Sequence, residues 1–529
     1  MKRLLLLLFL FSVFTPVSPQ GIYYHTSNTG LYLFLDELCN ARIIGMNTTI
    51  KPYTRQFIAQ QLNEAGVKRE YLNRRQIAEL DFYLKDFYKE LIPGTSFKKR
   101  LDLIYRRDSL FSFTLNPILG IRYWVSRNGS VYHRWNGAEA FASIGDHWGL
   151  YASLRDNHES ERLAEPEYLT QRPGAAYKTG DDYSEMRGGI TYSWKWGTIA
   201  LIKDHFTWGD NYNGANIFSG RTPSFVQIKL QLKPAEWFEF NYIHGWLVSG
   251  VVDSTRTWYY TNIDKVSVRK AYREKYMAAN FFTFKPWDRL YISFGNSIIY
   301  SDTGFEPSYF IPFFFFKSVD HTINQGIDNQ NSQMFINISS RQIRNIHLYT
   351  SFFVDEVSIK NMFSPSEHSN LFSWKMGGRL ENSLVSNLSL TAEYTRTWPL
   401  AFKHYLPTVT FESNHFNLGH YLQDNADEIY LDMQFKPFRC FLLDLSFTNI
   451  RKGPDYSSLT TERHGLPFME TPEWTYKQIT LKIYYQIIND AYIFSDLSFF
   501  RNTGDDHRYL PSLLRGNGVV ASFGLHMGL

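Results

Sequence analysis

The chain has 529 residues and a formal net charge of +4, with 44% hydrophobic, 17% aromatic and 20% charged residues. That hydrophobic content excludes a disordered chain, and 55 basic against 51 acidic residues give no footing for bulk nucleic-acid binding. Mean hydropathy is −0.32, and past the N-terminus no stretch approaches ~18 unbroken apolar residues, which excludes a polytopic helical membrane protein. Two cysteines, Cys39 and Cys440, are too few for a disulfide framework or a cysteine-built metal site.

Met1-Lys2-Arg3, the apolar run Leu4 to Val13 and the break Thr15 to Gln20 read as a secretory signal peptide over residues 1–20, cleaved near residues 18–20. Residues 21–108 then carry a helical period. Leu31, Phe34, Leu35 and Leu38 form one stripe. Thr54 can cap a helix through Phe57, Ile58 and Leu62 that stops at Gly66. Asn73 can cap another, in which Ile77, Leu80, Leu84, Phe87 and Leu91 step by three and four before Pro93-Gly94 ends it. Three short amphipathic helices bury little alone, so they must pack on each other or on a larger body.

From Leu110 the period becomes two. Ile429, Leu431, Met433 and Phe435 oppose Glu428, Tyr430, Asp432 and Gln434. Leu388, Leu390, Ala392 and Tyr394 oppose Asn387, Ser389, Thr391, Glu393 and Thr395. The same alternation holds over 226–232 and 478–485. Eight short connections, three of them opening on Lys-Pro, alternate with nine others, of which eight are long, including 206–222, 250–272, 301–329 and 398–425. Seventeen connections require eighteen strands. An even strand count with alternating loop length predicts an all-β transmembrane barrel over 109–529, with about 18 antiparallel strands. Residues 21–108 are then a small N-terminal helical bundle or plug on the periplasmic side, and the long loops are extracellular. Trp148, Trp196, Trp237 and Trp287 fall at the short-turn end, as an interfacial girdle would. The chain closes on Leu529 rather than the aromatic residue usual for such barrels.

At Leu31-Tyr32-Leu33-Phe34-Leu35-Asp36-Glu37-Leu38 and Ile50-Lys51-Pro52-Tyr53-Thr54-Arg55 the sequence resembles the Wzi-type capsule-assembly family. Phe206-Thr207-Trp208-Gly209-Asp210, Asn213-Gly214 and Ser219 to Phe225 resemble that family's Trp-Gly and Pro-Ser-Phe loop. Gly326 to Gln330 and Leu418-Gly419-His420 add to the likeness, which runs over about residues 30–529 and looks like a Bacteroidota-type member. The resemblance implies an outer-membrane barrel of eighteen strands closed by a periplasmic helical bundle. It also implies a lectin role at the cell surface, in which the protein retains capsular or surface polysaccharide.

The 206–224 loop offers the chemistry such a role needs. Trp208 is the expected stacking ring, flanked by Asp210, Asn211, Asn213 and Arg221, with glycines that let backbone approach a ligand. The same groups would equally bond one another if the loop folded into the barrel mouth. The run Tyr309 to Phe316 leaves three placements open: a constriction inside the barrel, a partner contact, or a strand continued in lipid. No enzyme signature appears, because no Ser or Asp nucleophile shares a spacing with a histidine. His415, His420 and Glu412 are the nearest approach to a metal-ligand set, although loop histidines at that spacing are more often solvated. The reading is therefore a non-enzyme without metal or cofactor, whose partners are outer-membrane lipids and polysaccharide, and not nucleic acid. The alternative is a channel or a secretion or transport accessory barrel with a helical plug.

Overall fold

The computed structural model describes residues 21–92, 98–178, 180–262, 265–323, 329–356, 359–364, 366–457, 464–488 and 490–528. The signal segment and the Pro93-Gly94 stop lie outside these residues. The period-two alternation builds eighteen strands: β1 (Phe111–Ser126), β2 (Gly129–Ile144), β3 (Trp148–Glu159), β4 (Asp182–Trp194), β5 (Gly197–Asp204), β6 (Phe225–Ala235), β7 (Phe238–Asn262), β8 (Lys265–Trp287), β9 (Leu290–Ser301), β10 (Gln330–Ser340), β11 (Ile346–Glu356), β12 (Leu371–Glu381), β13 (Leu388–Thr397), β14 (Ala426–Phe438), β15 (Phe441–Lys452), β16 (Trp474–Ile488), β17 (Ala491–Gly504) and β18 (Gly518–Met527). Each pairs antiparallel with its neighbour, and β18 closes on β1, from Val520 opposite Ser126 to Met527 opposite Leu119. A short strand, Ile104–Arg107, adds to β1 at Ser112 to Leu115, taking up the edge that β18 does not reach. The wall thus starts in a hairpin that crosses the predicted boundary at 108.

The alternation separates two faces. Ile429, Leu431 and Met433 are exposed by 41%, 46% and 36%, while Tyr430 and Asp432 between them are buried. An apolar outside over a polar inside is what a bilayer requires of a barrel. The predicted loop over 250–272 is instead a continuation of β7 and β8 as a hairpin, with register shifts after Val248 and after Asp253. Its Thr255, Thr257, Tyr259, Tyr260, Val266 and Val268 favour extended backbone wherever they lie.

Among the described residues three α-helices precede the wall: α1 (Thr29–Asn40), α2 (Arg55–Val67) and α3 (Arg74–Leu91). The Thr54 side chain accepts from the Phe57 N–H, and Asn73 with Gln76 forms a capping box. Leu35, Leu38, Ile58, Leu62, Leu80 and Phe87 have no exposed surface and form the core between the helices. The bundle closes the short-turn end. Arg289 donates to the Ile44 carbonyl at 2.8 Å, the Asn345 N–H to the Asn40 carbonyl at 2.7 Å, and the Arg439 guanidinium lies 4.1 Å from the Phe82 ring centre. Arg100 reaches Asp490 in the last short turn at 2.8 Å.

The connection after β9 neither constricts the lumen nor continues a strand. Residues 302–323 fold down the outer wall, covering Phe240, Tyr242, Ala278, Ile298 and Tyr300. Two other long connections, 205–224 and 398–425, turn into the lumen, where Trp208, Phe218, Phe402 and Phe411 pack on the wall residues Phe281, Phe335 and Phe353.

Candidate functional site

The lumen-bound 205–224 loop is pinned from three sides. Thr207–Trp208 pairs as a strand with Ile50–Lys51 of the helical segment, Trp208 opposite Ile50. Trp208 has no exposed surface; its ring stacks on Phe281 at 5.2 Å and meets Phe218 edge-on. Asp210 accepts from Thr48 at 2.5 Å, Thr49 at 2.8 Å and Asn337 at 2.8 Å. Burial alone would raise the Asp210 carboxyl, but the fields of His347 and Arg341 hold it below its ordinary range. Gly209 takes a φ of +105°, which lets the chain turn from Trp208 to Asp210.

The five residues expected to hold a glycan are therefore not gathered on one open surface. Trp208 and Asp210 bind the loop to the plug and the wall. Arg221 donates from Nε to the Thr170 carbonyl at 2.9 Å and lies beside the Phe416 ring; burial pushes its guanidinium down to about 10. The Asn211 side chain donates to the Gly209 carbonyl at 2.9 Å. Asn213 takes a bond from Gln171 at 3.2 Å, and it alone of the five lines the cavity at the long-loop end. The physical reason is that the lumen wall facing this loop carries phenyl rings, so the apolar face of the loop finds its partner inside the molecule.

The other half of the lumen is open space in three cavities of about 330, 540 and 400 Å³. The 330 and 540 Å³ cavities share Arg122 and Arg172, the 330 and 400 Å³ ones Tyr430 and Lys482, and the 540 and 400 Å³ ones Tyr484 and His526, so all three adjoin one another between the long loops and the helices. The 400 Å³ cavity reaches Asp36 of α1, which Arg341 and Tyr212 bind. Burial would raise that carboxyl; Arg341 and His347 hold it well below the usual carboxylate range.

The 540 Å³ chamber has the chemistry of a binding site. Trp135 of β2, Tyr183 of β4 and Arg122, Arg155 and Arg172 line it. Trp135 lies six residues from the long-loop end of its strand and Arg155 four from the end of β3. Gly120 of β1 stands opposite Trp135, and a Cβ there would come within 2.1 Å of the indole. The missing side chain is what lets the ring lie flat across the strand. The three arginines are 33%, 22% and 28% exposed, each beside a carboxylate: Asp496, Glu185 and Glu159. The Trp135 Nε1 and Arg172 Nε donors are buried without an acceptor among the described residues. Buried donors of this kind call for a water or ligand acceptor. Rings that stack on a sugar, beside guanidinium forks that match a carboxylate, suit an acidic glycan. Sequence reasoning missed Trp135 and the three arginines; the alternation along β2 could have set Trp135 and His133 on one face, but nothing in it says which half of the lumen stays open.

Among the described residues one grouping brings three metal-ligand atoms together: His25, Asp204 and His205, within 4.8 Å of one another. Hydrogen bonding and charge pairing account for it. The Ser27 N–H donates to His25 Nδ1 at 3.2 Å, His25 Nε2 meets His205 Nδ1 at 3.3 Å, and His205 Nε2 lies 3.4 Å from Glu185. Burial, followed by the charge of Arg187, keeps His25 neutral, and Asp204 is already engaged by Tyr151 at 2.8 Å and Arg187 at 3.3 Å. His415, His420 and Glu412 do not assemble into such a set among the described residues.

The sequence matches no protein-family model and no curated protein. Among solved structures it is similar to Wzi of Escherichia coli, described as an outer membrane protein involved in group 1 capsule assembly and a carbohydrate-binding β-barrel. Identity is 11% and the TM-score 0.60, over 97% of this chain and 100% of that one. The fold is an outer-membrane β-barrel fold. Because the match covers nearly the whole chain, it takes in the helical segment as well as the wall. Acinetobacter baumannii OccAB2 aligns at a TM-score of 0.43 and 9% identity, over 78% of this chain and 97% of that one. A BenF-like porin from Pseudomonas fluorescens aligns at 0.43 and 8%, over 79% and 98%.

Proposed function

We propose that the protein is an outer-membrane barrel that binds an acidic surface or capsular polysaccharide, with the helical segment periplasmic and the long loops outside. Its activity is binding rather than catalysis. The observation that carries this reading is the division of the lumen. Packed helices close the short-turn end and inward loops fill one half. The remaining space includes a chamber lined by Trp135, Tyr183 and three arginines. A sugar ring laid on Trp135 would share the chamber with three guanidiniums to which a sugar carboxylate can bond, and the unpaired Trp135 N–H would be open to a hydroxyl. The likeness to a carbohydrate-binding barrel supports the same reading.

The competing assignment, a channel or transport accessory with a removable plug, makes the opposite demand on the helices. Full-length protein in a planar bilayer, together with retention on a polyuronate resin and on neutral dextran, separates the two. Electrical silence with retention on polyuronate alone is expected. Steady single-channel openings without glycan retention would overturn the binding reading.

A further inference from the structure

Outward-facing side chains of the wall are mostly exposed and apolar, as at Val226, Val248, Phe294, Met334 and Ile336. Between these, on the same outward face of β7, β8 and β9, stands a polar patch of Tyr242, Asn280 and Asn296, with His244 and Tyr300 above it. Asn296 lies seven residues along β9 from Arg289 in the short turn. At a rise of ~3.3 Å per residue and a tilt of ~40°, that is roughly 18 Å up a band ~25 Å tall. Bare amides at that height would face acyl chains without a partner.

The segment 302–323 covers them. Asn280 donates to the carbonyls of Pro312 at 3.0 Å and Phe314 at 2.9 Å. Asn296 accepts from the Phe316 N–H at 2.9 Å, and the Tyr242 hydroxyl donates to the Tyr309 carbonyl at 2.7 Å. Phe313 stacks on Phe240 at 4.6 Å and Phe310 packs on His244 at 4.1 Å. Ile311, Phe313, Phe314 and Phe315 nevertheless remain 43%, 57%, 40% and 45% exposed.

We propose that the stretch Tyr309 to Phe316 of this segment is immersed in the outer leaflet and that its four exposed apolar side chains form a binding surface for lipid acyl chains. Irregular backbone is tolerated at membrane depth only where its polar groups are satisfied away from lipid. Here the wall asparagines do that, so amide and backbone each remove the other's cost. Hydrocarbon is the fitting partner because the exposed phenyls continue the apolar band of Phe294, Met334 and Ile336 without a break in chemistry. The proposal rests on the outer-membrane reading above.

The test uses full-length protein in phosphatidylcholine vesicles, with Cys39→Ala and Cys440→Ser as background and heat-modifiable mobility as the folding check. A nitroxide is attached in turn at Phe314→Cys, at Ile336→Cys on the bare wall and at Asn262→Cys at the hairpin tip. Collision with oxygen and with a water-soluble nickel chelate reports the surroundings of each. The label at 314 should match 336, with high oxygen and low nickel access, while 262 shows the reverse. Asn296→Leu should raise nickel access at 314 several-fold by releasing the segment. A label at 314 that matches 262 while 336 stays lipid-like would overturn the proposal. Nickel access at 336 itself would overturn the membrane placement on which it stands.

Discussion

Arg55 joins the plug to the wall, and replacing it with methionine tests how the short-turn end is held shut. The side chain is 2% exposed. It donates to Glu90 at 2.6 Å and to Asp86 at 3.1 Å, and lies 4.5 Å from the ring centres of both Phe87 on α3 and Phe141 on β2. Burial raises the Glu90 carboxyl, and Arg55 is the largest influence opposing that rise. Methionine keeps the apolar stem between the rings and removes the charge. Asp86 retains Lys89 at 3.1 Å and Arg100 at 3.4 Å, whereas Glu90 loses its bonded cation in a buried site. Breaking a buried pair in this way costs ~3–5 kcal/mol. At ~1.4 kcal/mol per tenfold, the opening equilibrium of the helices should rise by about 10²- to 10⁴-fold. Amide hydrogen exchange along α3, followed in detergent-solubilised Arg55→Met protein, reads this directly, and the barrel should keep its heat-resistant mobility. Unchanged exchange on α3 would refute the view that this charge cluster latches the plug.

Acid should loosen the same end. Asp36 and Asp86 are both held below the ordinary carboxylate range despite burial, by Arg341 and His347 in one case and by Arg55, Lys89 and Arg100 in the other. Depressed carboxyls stabilise the fold fully above ~pH 4, and that contribution is lost as pH falls further. Protease sensitivity of residues 21–92 should therefore appear below ~pH 4 and not between pH 5 and 8. Trp208→Ala should cost ~3–5 kcal/mol of barrel stability, read as a lower temperature of heat modification, with glycan binding per folded molecule unchanged; a stable variant that fails to bind would return the indole to the ligand site. An epitope at Asn262 should be labelled on intact cells and one at Ala235 should not, and the reverse would invert the topology.

The wall was legible in the sequence because a barrel writes its period and its connections into the chain. Alternation such as Ile429 to Phe435 marks the faces, and alternating short and long connections count the strands. The helices were legible through Thr54, Asn73 and their apolar stripes. The hairpin of β7 and β8 was hidden because a long gap between membrane-spanning stretches reads as a loop whether or not it pairs. The site was less legible. Trp208, Asp210 and Arg221 have the composition of a sugar site, yet phenyl rings from β8, β10 and β11 decide that this loop packs inward. Trp135, Arg122, Arg155 and Arg172 come from three strands and one loop, and only closure of the sheet brings them to one chamber. The course of 302–323 down the outside depends on Asn280 and Asn296, two amides on a lipid-facing register that only the pairing of β8 with β9 reveals.

The central claim is a glycan site built on Trp135 in the open half of the lumen. Calorimetric titration of the full-length protein with a hexuronate oligosaccharide and with a neutral oligosaccharide of equal length tests it most directly, using wild type, Trp135→Ala and Arg155→Gln. Burial of a large side chain against a ligand is worth roughly 1.5–3 kcal/mol, so Trp135→Ala should weaken hexuronate binding about tenfold or more. Arg155→Gln should narrow the preference for the acidic over the neutral sugar. Equal affinity for both sugars, or wild-type affinity in folded Trp135→Ala protein, would contradict the account.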